Sequence, residues 1–240
     1  MINERQKFIL DKIVENYIEL AEPISSEFLC QKHFLKIKPA TIRREFQFLT
    51  KEGFIYQPHI SAGRVPTDKG YKFFVDSFLK EKPKRSLKLN KITKELSWLK
   101  DSRLNPFSFF KRLSDSLAKF SSNLVLIRLR KPAISIKSGW SKIIKEPEFE
   151  DSNFVKNLMI LADSFEEETE RFFEEEPFFH LKIYIGKESR LPKSQNFSLI
   201  MTRGKFLKQE CLISLVGPKR MRYIDNIRLM NSLLEILSKN

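Results

Sequence analysis

Arg44 and Gln47 sit three residues apart in a segment that opens Lys38-Pro-Ala-Thr-Ile-Arg-Arg and closes at Gly53. Pro39 suits the first position of a helix and Gly53 a C-terminal stop. At about 100° per residue, Ile42, Phe46 and Leu49 share one face. Ala40, Arg44, Gln47 and Lys51 fall opposite, with Thr41, Arg43 and Phe48 at the flanks. A guanidinium or carboxamide on such a face makes paired hydrogen bonds to guanine or adenine edges, and a threonine methyl can meet a thymine methyl. Thr41, Arg44 and Gln47 are therefore the candidates for base readout. Lys38, Arg43, Lys51, Ser25 and Ser26 are better placed for phosphates, which fix orientation but carry no sequence information. Beyond Gly53, Phe54-Ile55-Tyr56-Gln57 reads as a short strand and Arg64-Val65 as its partner. In the basic turn between them, His59, Ser61, Gly63 and Arg64 can meet the DNA backbone or the minor groove. Gly63 and Arg64 are expected at the tip, Gly63 with positive φ.

The flanking segments supply a frame for that chemistry. Asn3 is a good N-cap, and Ile9, Leu10, Ile13, Val14, Tyr17 and Ile18 recur at helical spacing to about Ala21. Pro23 breaks the pattern, and Ser25 or Ser26 caps a second helix through Phe28, Leu29 and Lys32. Thr67 and Asp68 open a further helix with an apolar stripe of Tyr71, Phe74, Val75, Phe78 and Leu79. Four helices, two short strands and a basic turn in this order make a winged helix-turn-helix, expected over residues 1–80. Residues 81–90, with Pro83 and several basic side chains, read as a linker.

Residues 91–240 read as one α+β domain. A helix is expected around Phe107–Phe120 and a strand at Leu124–Leu129, followed by loop or short strand to Gly139. One helical segment then runs through Phe154, Leu158, Leu161, Phe165 and Phe172. Its glutamates from Glu166 to Glu176 are expected to form a solvated face. Strands are expected at Leu181–Ile185, Phe197–Met201 and Leu212–Val216. Gly217-Pro218 should turn the chain into a last helix through Ile224, Ile227, Leu234 and Leu237.

The net charge of +14 and pI near 9.7 suit a polyanionic partner. That charge is uneven: residues 83–145 hold 16 basic and 3 acidic side chains, and residues 146–180 hold 2 and 12. The basic block either follows a nucleic-acid backbone or packs against the acidic block, and tethering in one fold favours the second. Cys30 and Cys211 are too far apart in sequence for a metal or disulfide pattern and read as small buried hydrophobes. His33, His59 and His180 are scattered, so neither a metal nor a cofactor is expected. Neither a nucleotide-binding glycine loop, nor a nucleophile elbow, nor a paired-histidine motif is present, so the residues point away from an enzyme. The N-terminus lacks a signal-peptide core and no apolar run reaches ~18 residues, so a cytoplasmic, non-membrane protein is expected. Two other readings stay open on the residues alone: a ligand- or partner-sensing module with secondary DNA binding, and a non-specific basic nucleic-acid binder.

Several stretches stand out as motifs: Asn3-Glu-Arg-Gln, Glu22-Pro-Ile-Ser, Pro39-Ala-Thr-Ile-Arg and the long run from Gln57-Pro-His-Ile-Ser-Ala-Gly-Arg to Asp76. Gly139-Trp-Ser to Pro147-Glu-Phe149, Ile185-Gly-Lys-Glu188 and Val216-Gly-Pro-Lys-Arg-Met-Arg-Tyr223 add three more. Together they resemble the bacterial heat-inducible repressor family HrcA. The resemblance implies a repressor of chaperone operons acting on an inverted-repeat operator. It also implies a homodimer, a GAF-like domain with an inserted dimerising domain, and the chaperonin as modulator. Two departures stand out. Arg44-Glu45-Phe46 replaces the family's usual Asn-Asp-Met, and Arg130-Lys-Pro132 leads almost directly to the Gly139 stretch, so most of the insert is missing.

Overall fold

The computed structural model describes residues 2–33, 37–81, 98 and 105–237, and the chain divides into two compact units, Met1–Pro83 and Lys84–Asn240. Apart from Glu81, the linker expected at 81–90 lies outside the described residues.

In the first unit, α1 (Glu4–Leu20), α2 (Ser26–His33) and α3 (Pro39–Lys51) precede an antiparallel pair, β1 (Ile55–Tyr56) and β2 (Val65–Pro66), and then α4 (Asp68–Lys80). Local chemistry sets the boundaries. Asn3 and Gln6 cap each other across the first turn of α1, each side chain accepting the other's backbone N–H at 2.9 Å. Gly53, at φ 76°, ends the α3 segment, and Thr67 caps α4 by accepting the Gly70 N–H at 3.1 Å. Ile9, Leu10, Ile13 and Val14 of α1 are fully buried, as are Leu29 of α2 and Ile42 and Leu49 of α3. Phe46, Tyr71, Phe74 and Val75 complete this small core. Leu79, expected in the α4 stripe, is exposed instead. Cys30 is only partly buried; its thiol donates to the Ile37 carbonyl at 2.9 Å rather than packing as a hydrophobe.

The second unit is of the expected α+β, GAF-like class. Its elements are α5 (Pro106–Ser121), β3 (Leu124–Leu129), β4 (Ile134–Ser138), α6 (Trp140–Ile143), α7 (Ser152–Glu167) and α8 (Thr169–Glu175). They continue with β5 (Leu181–Ile185), β6 (Phe197–Phe206), β7 (Gln209–Pro218) and α9 (Tyr223–Leu237). The five strands form one sheet in the order β4-β3-β7-β6-β5, antiparallel throughout. Side chains alternate across it. Leu124, Leu126, Leu199, Met201, Leu212 and Val216 join Leu158, Leu161, Phe165, Phe172 and Phe173 of α7 and α8 in one cluster. Val125, Ile127, Ile200, Ile213 and Leu215 point to the other face, on the side of α5 and α9. With both faces covered, the central strands are apolar almost continuously, although they are antiparallel.

Of the loop or short strand expected after Pro132, the strand forms: β4 pairs with β3 from Leu129↔Ile134 to Val125↔Ser138. Three expectations change. Strands β6 and β7 are each ten residues long, and their turn is Leu207-Lys208 with φ of 48° and 63°. Gly217 and Pro218 do not turn the chain; they pair with Ser198 and Phe197, and the turn follows at Lys219-Arg220. A Cβ on Gly217 would lie 2.2 Å from Asn123 Oδ1, so this glycine serves close packing. The expected long helix breaks at Glu168, between α7 and α8, where the Thr169 hydroxyl donates to the Glu166 carbonyl at 2.9 Å.

Most of the acidic run is exposed as expected, with Glu166 half-buried and Glu176 the exception. Glu176 is buried and accepts the Tyr184 hydroxyl, which helps to push that phenol's pKa up beyond the effect of burial alone. Arg130 reaches Glu170 at 3.0 Å, and Lys137 reaches Glu166 at 2.8 Å and Asp163 at 3.2 Å. Two members of the basic block, Arg130 and Lys137, thus pair with the acidic one.

Candidate nucleic-acid interface

Helix α3 is held from its inner face. Besides the apolar contacts of Ile42, Phe46 and Leu49, Glu45 is only 5% exposed and accepts from Gln6 Nε2 at 3.0 Å. Arg5 Nη2 lies 2.8 Å from its other carboxylate oxygen. Position 45 therefore turns inward and fastens α3 to the first turn of α1. Sequence reasoning assigned it no role, although its wheel position, about 60° from Ile42, set it beside the core face. The departure Arg44-Glu45-Phe46 thus contains only one outward residue.

The outer face is as the spacing requires. Ala40, Arg43, Arg44, Gln47 and Lys51 are exposed, Lys38 before the first turn is exposed, and Thr41 and Phe48 are half-buried. Among the described residues, none pairs with the side chains of Arg44, Gln47 or Lys51. Arg43 is different: its guanidinium forms an ion pair with Glu27 on the first turn of α2. The Glu27 carboxyl is held below its usual value, first by its own backbone N–H and then by Arg43. This pair joins the flank of α3 to the start of α2.

The two serines separate. Ser25 is the α2 cap: its Oγ accepts the Phe28 N–H at 3.0 Å, a bond that leaves its own hydroxyl proton to donate. Ser26, expected with it on the phosphate side, is 5% exposed and its hydroxyl bonds Glu27 at 3.0 Å. It belongs to the packed first turn of the helix rather than to the surface.

The wing also departs from expectation. Ile24 and Arg64 form an isolated antiparallel bridge, with N···O distances of 2.9 and 2.8 Å, tying the wing's return limb to the α1–α2 corner. Gly63 lies beside this bridge and not at the tip, and its φ is not positive. Its reason is room: a Cβ there would sit 2.4 Å from the Ile24 carbonyl carbon and 2.6 Å from the Pro23 oxygen. Arg64 is partly buried, its guanidinium 5.8 Å from the Phe46 ring centre, and Nε has no hydrogen-bond partner among the described residues. Burial pushes its pKa down, though an arginine stays charged. The tip belongs to His59, Ile60 and Ser61, all exposed. His59 Nδ1 lies 3.2 Å from Ser61 Oγ, and the Ala62 N–H donates to the His59 carbonyl at 2.9 Å. Gln57 Nε2 donates to the carbonyls of Ile60 and Ala62 at 2.7 and 2.9 Å, bracing the loop from within.

Among the described residues, no group of three or more His, Cys, Asp or Glu could hold a metal ion, and no helix is long and apolar enough to cross a membrane.

A family model described as the HrcA protein C terminal domain matches residues 75–227. The heat-inducible transcription repressor HrcA of Acetivibrio thermocellus is 37% identical over 121 residues, which is 50% of this chain and 33% of that protein. Its namesake from Acidothermus cellulolyticus is 48% identical over 83 residues, covering 35% of this chain and 24% of that protein. The matched part thus spans a third or less of these curated relatives. In fold, the chain is similar to a crystal structure described only as that of a hypothetical protein, with TM-score 0.80 and 20% identity, covering 100% of this chain and 98% of that one. The match of the family model over most of the C-terminal unit, together with these relatives, shows that the chain belongs to the HrcA family.

Proposed function

We propose that this chain is a sequence-specific DNA-binding repressor of heat-shock operons, working without catalysis and in the cytoplasm. Its first unit is a winged helix, with α3 reading the major groove and the wing beside it. One observation carries this: Arg44 and Gln47 are exposed on a helix whose opposite face is fixed by Ile42, Glu45, Phe46 and Leu49. A rigid helix with unpaired, bidentate-capable side chains is the arrangement that base readout needs. Lys38, Lys51, Ser25 and Arg43 surround it as phosphate donors, Arg43 exchanging Glu27 for a phosphate. Thr41 lies at the flank for a thymine methyl. An inverted-repeat operator presents two identical half-sites, so the working form is a homodimer. The relatives' names carry the heat-inducible role, and the chaperonin as modulator comes from the family resemblance.

The test uses a duplex selected from a random pool by the full chain, with a scrambled duplex as control. Arg44→Ala and Gln47→Ala should each weaken binding to the selected duplex by about 1–3 kcal/mol and relax preference at one position. Lys51→Ala should weaken both duplexes alike and lower the salt dependence by about one phosphate contact. An unchanged ratio of selected to scrambled affinity in both Arg44→Ala and Gln47→Ala would remove the assignment to base readout.

A further inference from the structure

Ile60 is 99% exposed, the most exposed of the large hydrophobic residues described. The loop that carries it is braced along its backbone. Gln57 holds its carbonyl, the His59–Ala62 turn closes around it, and Pro58 stiffens the approach. The Ile24–Arg64 bridge fixes the loop's base. A β-branched apolar residue kept wholly in water by that many restraints has no packing role within its unit. Its chain neighbours His59 and Ser61 are polar, and Arg64 at the base of the loop carries a positive charge that complements a polyanion.

We propose that Ile60 is a DNA-contacting residue, seated by the wing against the apolar sugar wall of the minor groove. The proposal rests on the DNA-binding reading above and adds a contact of another kind. Deoxyribose C–H groups line that wall, and a rigid aliphatic tip can bury surface there without forming a hydrogen bond. The contact releases no counterions, so it adds affinity that does not fade with salt. Gln57 already orders the loop backbone, so docking need not order it.

Three properties are measured on the full chain with the selected and scrambled duplexes: affinity, its dependence on salt, and the unfolding temperature of the free protein. Ile60→Ala should weaken binding to the selected duplex roughly five- to tenfold. The slope of log affinity against log salt and the unfolding temperature should stay as in the parent chain. Ile60→Lys should also weaken binding, because a charged group replaces the apolar contact. Unchanged affinity in Ile60→Ala would overturn the inference. So would tighter binding with a steeper salt slope in Ile60→Lys, which would place the tip near phosphates. Failure of the parent chain to prefer any duplex would instead remove the DNA-binding reading itself.

Discussion

Replacing Arg220 by methionine should cost the C-terminal unit about 2–4 kcal/mol of stability. The Arg220 side chain is 8% exposed, with Nε 2.6 Å from Glu148 Oε1 and Nη2 2.9 Å from Glu148 Oε2. The same Nη2 lies 2.6 Å from Glu146 Oε2. It thus clasps the turn at Pro147–Glu150 to the turn before α9, joining two of the sequence stretches that carry the family resemblance. Removing the guanidinium leaves two neighbouring carboxylates facing each other without a cation. Their own side-chain exposures of 34% and 25% let water recover part of the loss, so the figure sits below that of a fully buried pair. Arg220→Lys should lie between, because an ammonium cannot fork to both acids. Both tryptophans, Trp98 and Trp140, fall in this unit, so fluorescence-detected urea unfolding of the full chain reports on it. An unmoved midpoint for Arg220→Met would show that the clasp adds nothing.

Gly63→Ala should damage the wing as thoroughly as a larger residue would, and this separates packing from backbone conformation. Had Gly63 been needed for positive φ, asparagine would be tolerated there. Because any Cβ meets the Ile24 and Pro23 backbone, both Gly63→Ala and Gly63→Asn must break the Ile24–Arg64 bridge or push the α1–α2 corner aside. Overpacking of this kind costs about 1–3 kcal/mol, and the first unit should lose that much. Binding to the selected duplex should fall with it, since the bridge aims the wing. Circular dichroism melts and gel-shift titrations of the two variants decide the matter. Parent-like stability and binding in Gly63→Asn would restore the conformational explanation.

These two sites also show what the chain's sequence conveys and what it hides. Helix ends were legible at Asn3 and Thr67, whose side chains cap, and at Gly53, whose backbone takes positive φ, because these are local chemistry. The buried faces of α1 and α3 followed from periodicity for the same reason. The role of Gly63 was not legible: its partner, Ile24, lies 39 positions earlier, and only the folded chain brings the two backbones together. The β6–β7 turn was missed because Leu207-Lys208 lacks the Asn-Gly signal that a two-residue hairpin normally shows; the continuous pairing from Phe197↔Pro218 to Phe206↔Gln209 sets it instead. Arg64 looked like a free cation in sequence, yet the ring of Phe46 draws it inward. On α3, Thr41, Arg44, Gln47 and Lys51 could be placed by rotation alone. The inward turn of Glu45 was hidden because the side chains that satisfy it, Arg5 and Gln6, lie about forty positions earlier on α1.

The claim that the first unit reads DNA sequence as half of a symmetric pair is tested most directly by selection. The full chain is incubated with random duplexes at physiological salt, bound DNA is amplified over several rounds, and the mass of the final complex is measured by sedimentation equilibrium. The expected result is enrichment of an inverted repeat, bound by two chains per duplex, with affinity about a thousandfold or more above that for a scrambled duplex. A pool that stays unenriched, or a duplex saturated by one chain with no preference over the scrambled control, would contradict it.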